Sequence, residues 1–338
     1  MSQRNGFCDT IGNTPLIRLP RLSEVTGCEI LGKAEFLNPG GSVKDRAALG
    51  IIEEAERQGL LQPGGTIVEG TAGNTGIGLS LVGNAKGYKT VIVIPNTQSE
   101  EKMSLLRAMG AEVRPVPPAP YSSPDNYNHI AKRLADEIPN GFWANQFDNT
   151  ANRDQHQRTT GPEIYQQTNR EITAFVAAVG TGGTLGGVSR FLKEANPSIA
   201  TICADPYGAS IWSWIKHGHT DIDDGDSVAE GIGQNRITAN LRDAPLDDAY
   251  RIPDSAMIKM VSYLLEKEGL FMGASGAINV CGAVKRARDQ GPGQTIVTIL
   301  CDDGQRYLSR LFNPSWLKEN DLDPVYDESL DFIDSIVS

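Results

Sequence analysis

The sequence predicts an α/β fold with two domains, each built from a mainly parallel, twisted sheet flanked by helices. The chain has 338 residues, which suffices for two domains of ordinary size. Short apolar segments rich in Val and Ile alternate with longer segments of helical character. The apolar segments lack the polar alternation of a half-exposed strand, and strands buried on both faces are typical of parallel sheets covered by helices.

The first half of the chain contains three predicted strand–helix pairs. A glycine turn in FLNPGGSVKDRAALG, at 36–50, leads into a helix that precedes them. The pairs are strand 65–70 with helix 76–87, strand 89–96 with helix 100–110, and strand 111–117 with helix 125–138. Thr97 is predicted to cap the second of these helices, because Glu100 three residues later completes a capping box.

The second half repeats the alternation and ends in an acidic tail. Its predicted elements are strand 172–180, helix 184–196, strand 200–208, helix 255–269 capped by Asp254, helix 275–291 and strand 294–304. We therefore expect an N-terminal domain at 1–149, a C-terminal domain at 150–312 and a tail at 313–338. Because no basic residue follows Lys318, we expect the tail to be solvated; docking on a partner or another subunit is the alternative.

Charge and composition argue against several classes of protein. The net charge of -11 argues against a nucleic-acid partner, since binding the phosphate backbone requires a basic face. With no apolar stretch of about 18 residues and no signal-peptide core, no membrane partner is expected. Five scattered cysteines without a CxxC pair favour a reducing, cytoplasmic location. His217 and His219 alternate in IKHGHTD without a third ligand nearby, so no metal is predicted.

Three glycine-rich stretches follow predicted strands, where parallel sheets bind their ligands. In EGTAGNTGIG the side chains of Thr71, Asn74 and Thr75 offer donors, although an ordinary strand-to-helix turn has the same composition. In VGTGGTLGG the backbone of 180–184 and the start of a helix predict a phosphate-binding loop. In GASGAINV, Ser275 has no role beyond a helix cap when considered alone.

A phosphate loop, an oxygen-binding asparagine and a lone lysine in a glycine turn together indicate a phosphorylated aldehyde held as a Schiff base. The ligand with that chemistry is pyridoxal 5'-phosphate, and the lysine is Lys44. Considered by itself, Lys44 is better explained as a solvated lysine at a helix start, with Asp45 and Arg46 completing a charged face.

An ordered set of motifs distinguishes these readings. The motifs are DTIGNTPLIRL at 9–19, then NPGGSVKDR, TAGNTG, QF…TTGPEI, VGTGGTLGG and DDGQRYLS. Over roughly 9–310 the chain resembles the fold type II pyridoxal-phosphate enzymes, specifically the cysteine synthase (O-acetylserine sulfhydrylase) and cystathionine β-synthase group. The resemblance implies a tryptophan synthase β-like fold, an amino-acid substrate, sulfide or a thiol as second substrate, and a homodimer.

The resemblance also implies roles for individual residues. Lys44 is the Schiff-base lysine and the acid–base group, Asn74 binds the ring hydroxyl, and Ser275 faces the pyridine nitrogen. The phosphate ligands are Gly180, Thr181, Gly182, Gly183 and Thr184. The ligands of the substrate α-carboxylate are Thr71, Gly73, Asn74, Thr75 and Gln146. Gly231, in the EGIG stretch at 230–233, lines the side from which the β-substituent leaves.

The implied activity is β-elimination and β-replacement on a serine- or cysteine-type amino acid. We expect a cysteine synthase, which makes cysteine and acetate from O-acetylserine and sulfide through an aminoacrylate. The alternatives are a cysteine desulfhydrase, which releases pyruvate, ammonia and hydrogen sulfide, and a non-catalytic regulatory homologue. Ala72 stands where the family has serine in TSGNT, Ala274 departs from its GISSG, and CDDGQRY departs from its PSSGERY. These departures favour a divergent branch.

Overall fold

The computed structural model describes residues 3–221 and 225–338. The chain divides into two compact units. The first comprises Met1–Gly12 and Asn38–Gln155, and the second comprises Asn13–Leu37 and His156–Ser338. The sequence-based boundary at 149/150 places residues 13–37 in the first domain, whereas the structure groups them with the later part of the chain.

The described residues form strands and helices in alternating order. The strands are β1 Leu16–Arg18, β2 Glu29–Ala34, β3 Thr66–Gly70, β4 Lys89–Pro95, β5 Glu112–Val116, β6 Gly141–Trp143, β7 Ala174–Ala177, β8 Ala200–Pro206, β9 Asp248–Ile252 and β10 Thr295–Leu300. The helices are α1 Pro20–Thr26, α2 Lys44–Arg57, α3 Asn74–Lys86, α4 Glu100–Ala108, α5 Tyr127–Glu137, α6 Ala151–Arg158, α7 Thr160–Gln167, α8 Gly183–Ala195, α9 Ile211–His217, α10 Asp254–Tyr263, α11 Ala274–Gln290 and α12 Pro314–Glu319.

The first unit is a parallel sheet in the order β5-β4-β3-β6, with helices on both faces. Ile67 and Val68 are neighbours on β3 and point to opposite faces. Ile67 packs in a cluster with residues of α2 and α3, and Val68 packs with residues of α5. Gly78 lets α3 approach the start of α2, because a Cβ there would lie 3.0 Å from the Lys44 carbonyl oxygen.

The second unit is a six-stranded sheet in the order β1-β2-β10-β7-β8-β9. All of its pairings are parallel except β1 with β2. Its largest apolar cluster joins strand residues such as Val176 and Ile202 to α10 and α11. The predicted class, two mainly parallel sheets flanked by helices, is confirmed.

Four strands were absent from the sequence-based prediction, namely β1, β2, β6 and β9, and β2 shows why. Its sequence EILGKA contains Lys33, which looks like a surface residue but is fully buried. The Lys33 ammonium pairs with Glu163 at 2.7 Å and donates to the Thr14 carbonyl at 2.5 Å and to the Gln167 side chain at 2.8 Å. These long-range partners satisfy a charge that is costly to bury alone.

Two predicted helix caps are wrong. Ser99, and not Thr97, caps α4, and its hydroxyl accepts a hydrogen bond from the Lys102 N–H at 3.4 Å. The extended backbone of Pro253 occupies the cap position of α10, so that Asp254 is the first helical residue. The Asp254 carboxylate instead accepts hydrogen bonds from the 227–228 loop, at 2.6 Å from the Ser227 hydroxyl and 2.8 Å from the Val228 N–H.

The acidic tail is anchored, which corrects the expectation that it is solvated. Four of its apolar side chains join the core of the second unit: Leu330, Phe332, Ile333 and Ile336. Val337 forms a strand-like bridge with Arg251 on β9. Two acidic residues of the tail form ion pairs, Glu328 with Lys267 at 2.5 Å and Asp334 with Arg288 at 2.6 Å.

Two further findings concern the sequence-based predictions that the protein has no membrane partner and no metal site. No helix in the ranges that the structure describes is both long and apolar enough to cross a membrane. Within 3–221 and 225–338, no group of three or more His, Cys, Asp or Glu side chains could hold a metal ion. His217 and His219 stack with ring centroids 5.6 Å apart, and the His219 Nδ1 lies 3.3 Å from the Asp221 carboxylate.

Truncating a buried side chain of the tail should destabilise the protein, while truncating an exposed one should not. Ile333 is fully buried and Val325 is 70% exposed. We expect Ile333→Ala to lower the free energy of unfolding by about 2–5 kcal/mol, and Val325→Ala to change it by less than about 0.5 kcal/mol. Urea unfolding followed by fluorescence measures both. Equal effects would show that the tail is not anchored by its apolar residues.

Candidate active site

Lys44 is the first residue of α2, and the preceding glycine turn holds it there. The Asp45 carboxylate is fully buried and accepts a hydrogen bond from the Gly40 N–H at 2.6 Å. A Cβ at Gly40 would collide with this carboxylate, and Gly41 has a φ of 83° that favours glycine. Lys44 itself is partly exposed, and its N–H donates to the Ser42 hydroxyl at 3.2 Å. The turn and Asp45 therefore fix the lysine at the helix start.

The TAGNTG loop joins β3 to α3, and Asn74 is the first residue of that helix. Thr71 is buried; its N–H donates to the Val93 carbonyl at 3.0 Å, and its hydroxyl accepts from the Gly73 N–H at 3.2 Å. Gly73 is exposed at the helix cap. The N–H groups of a helix start suit a carboxylate.

The structure brings together two of the predicted carboxylate ligands that are distant in sequence. The Thr75 hydroxyl donates to the Gln146 side-chain oxygen at 2.5 Å, and both side chains are buried. Gln146 follows β6, which pairs with β3 in parallel, so the ends of these two strands place both residues at one edge of the sheet. Ala72 packs against an apolar cluster that includes Ile77, which accounts for an apolar residue at this position.

The predicted phosphate loop joins β7 to α8, and neighbouring backbone presses closely against it. Gly182 caps α8 with a φ of 83°, and a Cβ there would lie 2.8 Å from the Leu241 Cβ and 2.9 Å from the Thr238 hydroxyl. A Cβ at Gly180 would collide with the carbonyl oxygen of Gly231. The Gly183 N–H donates to the Thr181 hydroxyl at 3.3 Å. The glycines therefore let this loop pack closely against Gly231, Thr238 and Leu241.

Two residues that the sequence-based prediction missed support this loop. The Thr238 hydroxyl donates to the Thr181 carbonyl at 2.8 Å. His156 is buried, with its Nε2 3.2 Å from the Thr184 hydroxyl and its Nδ1 2.8 Å from the Thr160 hydroxyl. His156 lies just before the TTGPEI motif, but nothing in its local sequence signals a contact with residue 184.

Ser275 is the second residue of α11, and the start of that helix rests on a buried acidic residue. Ser275 is a buried residue, and its side chain forms no hydrogen bond with any residue that the structure describes. A Cβ at Gly273 would lie 2.5 Å from the Asp302 carboxylate and 2.5 Å from the Tyr307 ring. The Tyr307 hydroxyl donates to Asp302 at 2.7 Å, and burial together with this carboxylate raises the pKa of Tyr307 well above its usual value.

The EGIG stretch lies against the phosphate loop. Gly231 has a φ of 77° and presents its carbonyl oxygen to Gly180, and the Gly233 N–H donates to the Val179 carbonyl at 2.9 Å. Glu230 forms an ion pair with Arg310. Gly231 is therefore held beside the loop that is predicted to bind phosphate.

These features fit pyridoxal phosphate. In the second unit a glycine loop leads into the start of α8, and the Ser275 side chain has no hydrogen-bond partner among the described residues. In the first unit Lys44 is fixed at a helix start. A family model described as "Pyridoxal-phosphate dependent enzyme" matches residues 8–302. The chain belongs to this family. The predicted cofactor is thereby confirmed.

The pyridoxal-phosphate enzyme resembles named cysteine synthases along nearly its whole length. Cysteine synthase 1 of Neurospora crassa is 54% identical over 321 residues, which cover 94% of this chain and 85% of that protein. The cysteine synthase of Dictyostelium discoideum is 46% identical over 340 residues, or 97% and 89% of the two chains. A crystal structure of O-ureido-L-serine synthase superposes with a TM-score of 0.84 at 34% identity, covering 97% of this chain and 99% of that one. The resemblance to fold type II enzymes is confirmed.

A side chain at Gly182 should loosen the cofactor, whereas one at a glycine with equal backbone strain and open surroundings should not. Gly218 has a φ of 78° and nothing within 4 Å of a built Cβ. Both alanine variants carry similar backbone strain, but only in Gly182→Ala does the new Cβ also clash with Leu241 and Thr238. Overpacking costs of about 1–3 kcal/mol predict a roughly tenfold weaker affinity for the cofactor. Cofactor content after dialysis measures this, and equal retention in the two variants would remove the loop from the cofactor site.

Proposed function

We propose that this enzyme is a cysteine synthase that converts O-acetyl-L-serine and sulfide to L-cysteine and acetate. The observation that carries the proposal is the 54% identity to a named cysteine synthase over 94% of the chain. The desulfhydrase alternative has no comparable support among the relatives. The residue roles below are part of the proposal.

Two sets of residues hold the cofactor in this proposal. In the second unit the backbone of Gly180–Thr184 binds the phosphate group and Ser275 meets the ring nitrogen. In the first unit Asn74 binds the ring hydroxyl. The support is the glycine loop at the start of α8 and the Ser275 side chain, which forms no hydrogen bond with the described residues. Pyridoxal phosphate, when bound, supplies an electron sink for negative charge that develops at the substrate α-carbon.

Lys44 moves the proton in this proposal. Its amine takes the proton from the substrate α-carbon, and the bond between the β-carbon and the acetate oxygen then breaks. The hydrogen bond between Asp45 and Gly40 anchors the start of α2, where Lys44 is the first residue. Sulfide adds at the β-carbon after acetate has left, and the α-carbon regains a proton from Lys44. The balance is one acetate released for each sulfide consumed.

The substrate α-carboxylate binds at the start of α3, where Thr75 and Gln146 meet. Their mutual hydrogen bond of 2.5 Å joins the two side chains at the start of α3. The first N–H groups of a helix complement a carboxylate.

We further propose that the enzyme assembles as a homodimer and functions in the cytoplasm. The family resemblance supports the dimer, and the five scattered cysteines support a reducing compartment. Light scattering on the purified protein tests whether it is a homodimer. Localisation of the tagged chain tests whether it functions in the cytoplasm.

Replacing Lys44 should abolish synthesis while leaving the fold intact. We expect Lys44→Ala to lower the rate of cysteine formation by at least about 10³-fold, the upper range of a single acid–base contribution. The control is Lys89→Ala, because Lys89 is an exposed lysine of the same unit. Cysteine formation and sulfide concentration are followed together with O-acetyl-L-serine as substrate. Retained synthesis in Lys44→Ala, or sulfide release from L-cysteine as the dominant wild-type activity, would contradict the proposal.

A further inference from the structure

The mechanism leaves one buried acidic residue unexplained. Glu69 lies on β3, two residues before the TAGNTG loop, and is 1% exposed. Neither carboxyl oxygen has a hydrogen-bond partner among the described residues. Buried polar groups are nearly always paired, and an unpartnered buried carboxyl group is costly to keep. A residue retained at this cost beside a proposed binding site invites a functional explanation.

The surroundings of Glu69 connect it to Gln146. β3 and β6 are parallel neighbours, and the Ala144 N–H donates to the Val68 carbonyl at 3.0 Å. The chain then turns at Asn145, which has a φ of 49°. The backbone N–H groups of Asn145 and Gln146 and the Gln146 side chain lie close enough to lower the pKa of Glu69, although none meets full hydrogen-bond geometry.

Burial outweighs these donors and raises the pKa of Glu69 to about 8. The carboxyl group is therefore mainly neutral at pH 7. Other ionisable groups lie on the helices that cover this sheet. On α2 they include the buried Asp45 and Arg46, and on α5 the phenol of Tyr127, whose pKa burial raises, with a further contribution from Glu69. The groups that lower the pKa of Glu69 are all uncharged.

We infer that Glu69, buried at the end of β3 beside the turn that leads to Gln146, is a positioning residue that orients the Gln146 amide toward the substrate α-carboxylate. The inference rests on the proposed function, which assigns the carboxylate to Thr75 and Gln146. A protonated carboxyl group both donates and accepts, so it can hold the amide without repelling an anion. Ionisation of Glu69 would place its negative charge close to that of the substrate α-carboxylate in a poorly solvated region.

The experiment compares Glu69→Gln and Glu69→Ala with the wild type as holoenzymes. The matched control is Thr90→Val. Like Glu69, Thr90 has a buried polar group without a partner in the same sheet, and the substitution removes its hydroxyl. Binding of L-cysteine is followed by cofactor absorbance from pH 6.5 to 9.5, and L-cysteine methyl ester serves as a ligand without a carboxylate. The steady-state KM and kcat for O-acetyl-L-serine are measured in parallel.

Glu69→Gln should bind L-cysteine within about twofold of the wild type at pH 7. Above pH 8 the wild type should weaken relative to Glu69→Gln by roughly tenfold, the order expected for two like charges in a partly buried site. Glu69→Ala should raise the KM for O-acetyl-L-serine by roughly tenfold with kcat little changed. Binding of the methyl ester should be the same in all variants, and Thr90→Val should behave as the wild type.

Several outcomes would overturn the inference. Identical pH dependence in wild type and Glu69→Gln, or equal weakening of L-cysteine and its methyl ester in Glu69→Ala, would leave Glu69 a purely structural role. If the variants fail to fold, ¹³C NMR of labelled glutamate in the wild type should still show one carboxyl group titrating near pH 8, and its absence refutes the neutral state. A wild type that binds L-cysteine with this pH dependence but makes no cysteine would refute the proposed function alone.

Discussion

The absence of a Cβ at a few strand-to-helix junctions is the constraint on which the rest of the structure depends. At Gly180 and Gly182 neighbouring backbone and side chains occupy the space where a side chain would be, and at Gly273 an acidic residue and an aromatic ring do so. Close approach exposes backbone N–H groups at the starts of helices, and such groups bind phosphate and carboxylate without any charged side chain. Glycine at these junctions therefore serves packing and binding together.

Buried polar contacts hold these junctions in register. Asp45 fixes the turn before Lys44, Thr238 and His156 contact the loop at 180–184, and Asp302 with Tyr307 lies under the start of α11. Two of these hydrogen bonds join residues 28 and 57 positions apart, and the other two join residues five positions apart. Each provides a partner for a group that would be costly to bury alone. A buried network of this kind also limits the freedom of the residues it supports, which catalysis and binding require.

Much of the fold and part of the site could be predicted from sequence. The strands that are apolar throughout, such as β4 and β10, were found because continuous Val and Ile runs are a local signal. The glycine loops were found because their composition is distinctive and they follow those strands. β2 was missed because Lys33 interrupts its apolar pattern. Thr97 was preferred to Ser99 as a cap because Glu100 three residues later completes a capping box, whereas the backbone conformation places Ser99 at the cap.

The sequence by itself determined the alternation of strands and helices, the order of the motifs and the identity of the residues available for chemistry, because these depend on neighbours within a few positions. Only the tertiary structure decided which residues are buried and what they meet. It paired Thr75 with Gln146 and Lys33 with Glu163, joined residues 13–37 to the second unit, and packed the apolar residues of an acidic tail into its core. The physical reason is that burial and its effect on charge arise from contacts between distant segments, which a local pattern does not contain.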